Sequence, residues 1–147
     1  MALKLGFEGK AYRNSATYAT PTWNEIPNVR DLTLSVEKGE ADVTTRIANG
    51  WKLSKGALKE ASIEFEMLWD SGDTDFIALR DSFLNNTPID MLILDGAENA
   101  AGSQGLRAIC DVIGFTREEP LAEAMKVKVT VKPTYDATNG PTWYTAS

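Results

Sequence analysis

Two runs of strict alternation, Leu32-Thr33-Leu34-Ser35-Val36 and Ile63-Glu64-Phe65-Glu66-Met67, put apolar side chains on one face of a strand and polar ones on the other. They predict strands over about 29–37 and 61–69. Asp31, Thr33, Ser35 and Glu37 share the polar face of the first, and Glu64 and Glu66 that of the second. Between them, Lys38–Lys59 reads KGEADVTTRIANGWKLSKGALK and carries no period of its own. Structureless loops this long are uncommon in a compact domain and are usually functional or disordered. Val43, Ile47, Trp51 and Leu53 argue against disorder, because a solvated linker lacks such apolar anchors. Folded back on itself as a hairpin, the segment reaches about 35 Å. A domain of this length has a radius of gyration of about 15 Å, so the arm is nearly as long as the body. The pattern predicts an arm that lies against something outside its own domain.

The remaining pattern is mostly strands. Leu3, Leu5, Phe7 and Tyr12 alternate weakly and predict a first strand over 3–12, followed by a loop over 13–28 with Pro21, Trp23 and Pro27. Asp73 is placed to cap a helix over about 74–86, with Asp75 at the positive end of its dipole and Phe76, Leu79, Phe83 and Leu84 as its apolar stripe. Asn85-Asn86-Thr87-Pro88 stops it. Strands follow at about 88–94, 105–116 and 124–132, and a Gly/Ala/Ser/Asn-rich loop occupies Asp95–Gly105. From Pro133 the chain reads as a polar tail carrying Tyr135, Trp143 and Tyr144. The order β-β-arm-β-α-β-β-β lacks βαβ alternation and solenoid repeats. It predicts a single domain over 1–147, mainly β: an antiparallel β-sandwich or half-barrel with one packed α-helix. The arm at 38–59, the loop at 13–28 and the tail at 133–147 are its appendages.

Composition narrows the chemistry. The 147 residues, 43% of them apolar, suffice for one real core. There is no histidine, which removes the commonest general base and transition-metal ligand. Cys110 is the single cysteine, so no internal disulfide forms, and it reads as a small core residue. The N-terminal stretch MALKLGFEGKAYR has no signal-length apolar core, and the longest apolar run, Met91–Leu94, is far too short to cross a bilayer. A soluble chain without a recognisable export signal is expected. A net charge of −6 without a basic cluster argues against nucleic-acid binding as the main task.

Few residues suggest a small-molecule site. Asp70, Asp73 and Asp75 offer carboxylate oxygens for calcium, but the spacing lacks the downstream Glu of an EF-hand, and two of them already serve a helix start. Gly102-Ser103-Gln104-Gly105 resembles a phosphate loop in composition, yet opens a strand where phosphate binding needs a helix N-terminus. No cofactor is expected. Trp23, Trp51 and Trp143 sit in appendages, where they either anchor an interface or cover the domain's own core edge. For Trp51, out on the arm, contact with another subunit is the favoured reading. Three function classes remain: a self-assembling structural subunit, a monomeric β-sandwich module binding carbohydrate through exposed tryptophans, and an enzyme built on paired carboxylates or a Ser-Lys arrangement. The binding module leaves the arm without purpose, and in the enzyme nothing converges on Glu64 and Glu66.

A longer-range likeness favours the first class. Pro21–Ile26 leads into Val29–Leu34. Then come Ala41–Arg46, Asn49-Gly50-Trp51, Glu64–Trp69, Asp73–Phe76, Gly102–Arg107 and Glu119-Pro120-Leu121. In order and spacing, over about residues 3–133, these resemble the major tail tube proteins of long-tailed bacteriophages, whose fold is similar to the tube subunits of contractile tails and type VI secretion. The resemblance implies a structural virion protein, assembled in the host cytoplasm, that forms hexameric rings stacked into a hollow tail tube for DNA delivery. It implies tail tip, tape-measure and terminator proteins as partners, and DNA that crosses the lumen without specific binding. It also implies that the arm reaches the adjacent ring, with Thr44, Thr45, Arg46, Asn49, Gly50 and Trp51 as the matching residues. Ring closure suits a β protein because it pairs open sheet edges. An acidic wall suits a passing polyanion, although screening limits repulsion to about 8 Å. Glu64 and Glu66 are therefore the lumen-facing candidates, with Asp31 and Glu37 behind them. The alternative is a solvated strand face whose carboxylates pair with Lys126 or Lys128.

Overall fold

The computed structural model describes residues 3–147; Met1 and Ala2, part of the stretch inspected for a signal, lie outside the described residues. Strands β1 (Lys10–Asn14), β2 (Trp23–Glu25), β3 (Val29–Asp42) and β4 (Ser54–Leu68) precede helix α1 (Thr74–Asn85). Strands β5 (Ile89–Leu94), β6 (Gln104–Glu118), β7 (Lys126–Pro133) and β8 (Thr142–Thr145) follow it. All pair antiparallel in one sheet of order β2-β1-β5-β6-β7-β4-β3, with β8 added beside β6. The half-barrel form of the expectation is the one observed. Strand β6 makes it possible: its first half pairs with β5 and β8, its second half with β7, and a bulge at Ile113 bends the ladder between Val112 and Gly114.

Alternation decides what fills the concave side. Ile63, Phe65 and Met67 of β4 meet Val127, Val129 and Val131 of β7, together with Ala108, Cys110 and Val112 of β6 and Met91 and Ile93 of β5. Helix α1 closes this core with Phe76 and Leu79, and its Phe83 stacks on Phe115 at 5.9 Å. Asp73 caps the helix as predicted, its carboxylate accepting a hydrogen bond from the Phe76 amide at 3.1 Å. Asn86 ends it in the left-handed conformation. The stripe differs by one residue: Ser82 turns inward and Leu84 is exposed. Asp75 does more than face the dipole, since it is buried against Arg13 at 2.9 Å and ties the helix to β1.

Three expectations are corrected. Residues 3–9 are not a strand: a 3-10 turn spans Gly6–Glu8, and the Glu8 carboxylate takes the Leu5 amide at 2.7 Å, a local bond that competes with sheet pairing. The 13–28 loop contains β2 and folds back over the sheet. The tail after Pro133 is not free, because β8 pairs Gln104–Arg107 with Thr142–Thr145, and Ala146 is buried by reciprocal bonds to Gly102 and Ser103.

The aperiodic segment is the fourth difference. It is a β-hairpin, with Lys38 opposite Lys59, Glu40 opposite Gly56 and Asp42 opposite Ser54. Between Glu37 and Glu60 only Ala48 is even partly covered. Alternation records which face of a strand is buried, and here the chain itself buries neither face, so no period was written into the sequence.

Candidate assembly surface

The hairpin tip is pre-shaped. The Thr44 hydroxyl accepts the Leu53 amide at 2.9 Å, and the Thr44 amide donates to the Asp42 carboxylate at 2.9 Å, locking the last rungs. A 3-10 turn over Arg46–Ala48 then leads to Asn49 and Gly50, both at positive φ, and the Trp51 amide returns to the Ala48 carbonyl. The Asn-Gly pair supplies the left-handed turn at little steric cost. This geometry aims Ile47 and Trp51 outward, 88% and 73% exposed. A two-stranded hairpin alone in water is marginal, so its apolar tip and unpaired edges suit covering by another molecule. Thr45, Arg46, Asn49 and Gly50 share this exposed tip.

Glu64 and Glu66 lie on the convex face of the sheet, opposite the core. Thr33, Glu64 and Thr130 stand in one row across β3, β4 and β7, and Glu66 stands beside Lys128 in the next. Glu66 also reaches Lys126 at 3.7 Å, so part of the solvated-face alternative is realised. Glu37 opposes Glu60 on the same face further toward the arm, and Asp31 is exposed in the irregular stretch between Val29 and Leu32. The four carboxylates therefore share a side of β3 and β4 without converging on a point. Among the described residues no group of three His, Cys, Asp or Glu side chains converges as a metal site. Asp70, Asp73 and Asp75 each have separate work: a bond from Gly72, the helix cap, and the pair with Arg13.

Sequence reasoning missed the cluster that holds the 13–28 loop. Arg107 donates to the Asp90 carboxylate at 2.8 Å and to the Tyr18 carbonyl at 2.8 Å, with its guanidinium 3.6 Å from the Tyr18 ring and 4.9 Å from that of Trp23. Asn14 adds a bond to Asp90 at 3.0 Å. Trp23 packs on the cluster of Tyr12, Leu92 and Leu94, as its reading as a cover for its own domain expects. Trp143 stays mostly exposed, its indole N–H donating to Gln104. The visible signal was Asp90 inside an otherwise apolar strand, a carboxylate that burial forces to find a partner. Arg107→Ala strands that carboxylate and removes the stacking, and should lower stability by about 3 kcal/mol, read as the shift in urea midpoint at constant m.

Cys110 is fully buried in the core, and burial, with Asp90 and Asp111 adding to it, pushes its thiol up to about 12. Almost no thiolate exists at neutral pH. A thiol reagent should label the native protein at least about 100-fold more slowly than the urea-unfolded chain, and equal rates would contradict this burial.

An antiparallel half-barrel closed by one helix, with a long bare hairpin between its third and fourth strands, is the tail-tube fold. The chain superposes on the tail of an empty gene transfer agent particle, refined with helical C6 symmetry, with a TM-score of 0.75 at 13% identity, covering 99% of this chain and 100% of that one. Its TM-score with the SPP1 tail tube is 0.73 at 14% identity, covering 97% and 80%. With the sheath–tube complex of an extracellular contractile injection system it is 0.66 at 8% identity, covering 97% and 92%. No protein-family model matches the sequence, and no curated protein does.

Proposed function

We propose that this protein is the structural subunit of a phage-type tail tube, stacking as hexameric rings around a lumen through which DNA passes. The observation that carries the reading is the hairpin: fourteen-residue β3 and fifteen-residue β4 run far past the core and end in an apolar tip that none of the described residues covers. The C6 symmetry of one structural neighbour and the tube of another support six-fold rings and axial stacking. The subunit belongs to the tail of the virion, is assembled in the host cytoplasm, and meets tail tip, tape-measure and terminator proteins at the tube's ends and lumen. It works by contact alone, with no catalytic step. Trp23 is engaged within its own domain, so no observation favours the carbohydrate-binding module. The test is negative-stain electron microscopy of purified protein at rising concentration. Hollow tubes are expected; compact monomers at every concentration contradict the proposal.

Within this reading Glu64 and Glu66 line the lumen, with Glu37 and Asp31 further along the same side. Their charge keeps a polyanion from adhering within the screening distance of about 8 Å. Glu64→Lys with Glu66→Lys should leave tubes intact, since only a long, partly exposed pair to Lys126 is lost. DNA release from particles built with this variant should be slower, followed as dye-accessible DNA against time. Unchanged release would remove these residues from the lumen.

A further inference from the structure

The hairpin tip and the far end of the same sheet are opposite in charge. Over the hairpin, Lys38–Lys59, Lys38, Arg46, Lys52, Lys55 and Lys59 outweigh Glu40 and Asp42 by +3, so a chain of net −6 leaves −9 on everything else. Strand β4 runs from Ser54 at the tip to Leu68, roughly 45 Å of strand. Two segments meet where it ends: the turn after β4, with Asp70 and Asp73, and the last residue of β6, Glu118, with the β6–β7 loop that carries Glu119 and Glu123. The Trp69 amide donates to the Met125 carbonyl at 2.9 Å and joins them. Arg117 and Lys126 answer only part of this charge, in an exposed pair with Glu119 and a part-buried one with Glu123. The same loop carries Leu121, wholly exposed, and Met125, partly so.

Each end thus carries exposed apolar side chains within a segment of one net charge, cationic for the hairpin with Ile47 and Trp51, anionic for the end with Leu121. Within one molecule they face opposite ways along β4 and cannot meet. The other acidic loop, with Asp95 and Glu98, leads into the start of β6 and lies on the hairpin's side of the sheet, so head-to-tail stacking does not present it to the hairpin.

We infer that the hairpin tip of one copy docks on the Asp70–Asp73 and Glu118–Met125 end of the next copy, Ile47 and Trp51 against Leu121 and its cations opposite these carboxylates. The inference rests on the tube reading and assigns the surface that accepts the arm. Such a contact uses different patches on the two copies, and directed along the tube axis it propagates without closing. Its charges fix polarity and register, and its apolar centre supplies the affinity.

The experiment is a charge swap. Arg46→Glu, Lys52→Glu and Lys55→Glu make one variant; Glu118→Lys, Glu119→Lys and Glu123→Lys make the second; a third combines all six. These side chains are exposed, and unchanged thermal transitions will establish that each variant folds. Each single-end variant should raise the concentration needed for tube growth by about 100-fold, and the combined variant should restore growth to within about tenfold of wild type. Wild-type growth by either single-end variant, or no recovery by the folded combined variant, overturns the docking surface while leaving the tube reading standing. A wild-type chain that never grows tubes overturns both.

Discussion

Deleting residues 40–57 is expected to give a folded subunit that stacks no tube. The register makes the deletion clean. Lys38 and Lys59 are direct partners across β3 and β4, so the cut leaves Gly39 and Leu58 as a two-residue connection between them. Glycine at the first central position is what a type II′ hairpin turn requires. Every residue removed is exposed or nearly so, and none belongs to either hydrophobic cluster. Far-UV circular dichroism should therefore show a cooperative transition within a few degrees of wild type. What disappears is Ile47, Trp51 and their flanking cations, the contact proposed to join one ring to the next. Electron microscopy should show particles no longer than a ring at concentrations where the intact chain forms tubes. Tubes of ordinary length from the shortened chain would assign axial stacking to some other surface.

Gly105→Ala is expected to prevent folding, by a cost of about 4 kcal/mol or more out of a total stability of roughly 5–15. Gly105 lies in β6 opposite Leu94, at the point where β5, β6 and β8 run side by side. A Cβ there collides with the Ile93 carbonyl, its carbon only 2.6 Å away, and with the Leu94 Cα at 3.0 Å. These are backbone atoms held by the ladder, so no rotamer change relieves the overlap; the strands must separate. Separation would also disturb Arg107 two residues on and the pairing of β8. The variant should accumulate as insoluble protein or show no cooperative urea transition. Gly140→Ala, with nothing within 4 Å of the added carbon, is the matched control and should behave as wild type. A soluble Gly105→Ala protein with normal unfolding would mean that β5 and β6 do not approach as closely as described.

The readable parts of this chain were those where burial is one-sided. Ile63, Phe65 and Met67 alternate with Glu64 and Glu66 because one face of β4 is core and the other is not, and Val127, Val129 and Val131 repeat the arrangement in β7. The helix was readable from Asp73 to Asn86 because its ends depend on local hydrogen bonds. Leu3, Leu5 and Phe7 misled because weak alternation resembles a strand when no ladder partner is known, and all three are exposed around a turn closed by Glu8. β8 escaped notice because four residues after a polar stretch pair with β6 through backbone groups that any sequence carries.

The candidate site divides the same way. That the segment from Lys38 to Lys59 is set apart from the core was legible in its length and its lack of period, properties the chain carries without any partner. That it is a hairpin, and that its cations face away from the Leu121 end of the same molecule, followed only from strand order. The sequence by itself determined the local terms: which faces are apolar, where the helix starts and stops, and that catalysis lacks histidine. Tertiary structure alone decided the contacts between distant segments, namely Arg107 with Asp90 and Tyr18, Gly105 against Ile93, and the separation of the two charged ends. Hydrophobic periodicity is written residue by residue, whereas these contacts join positions whose proximity depends on how eight strands are ordered in one sheet.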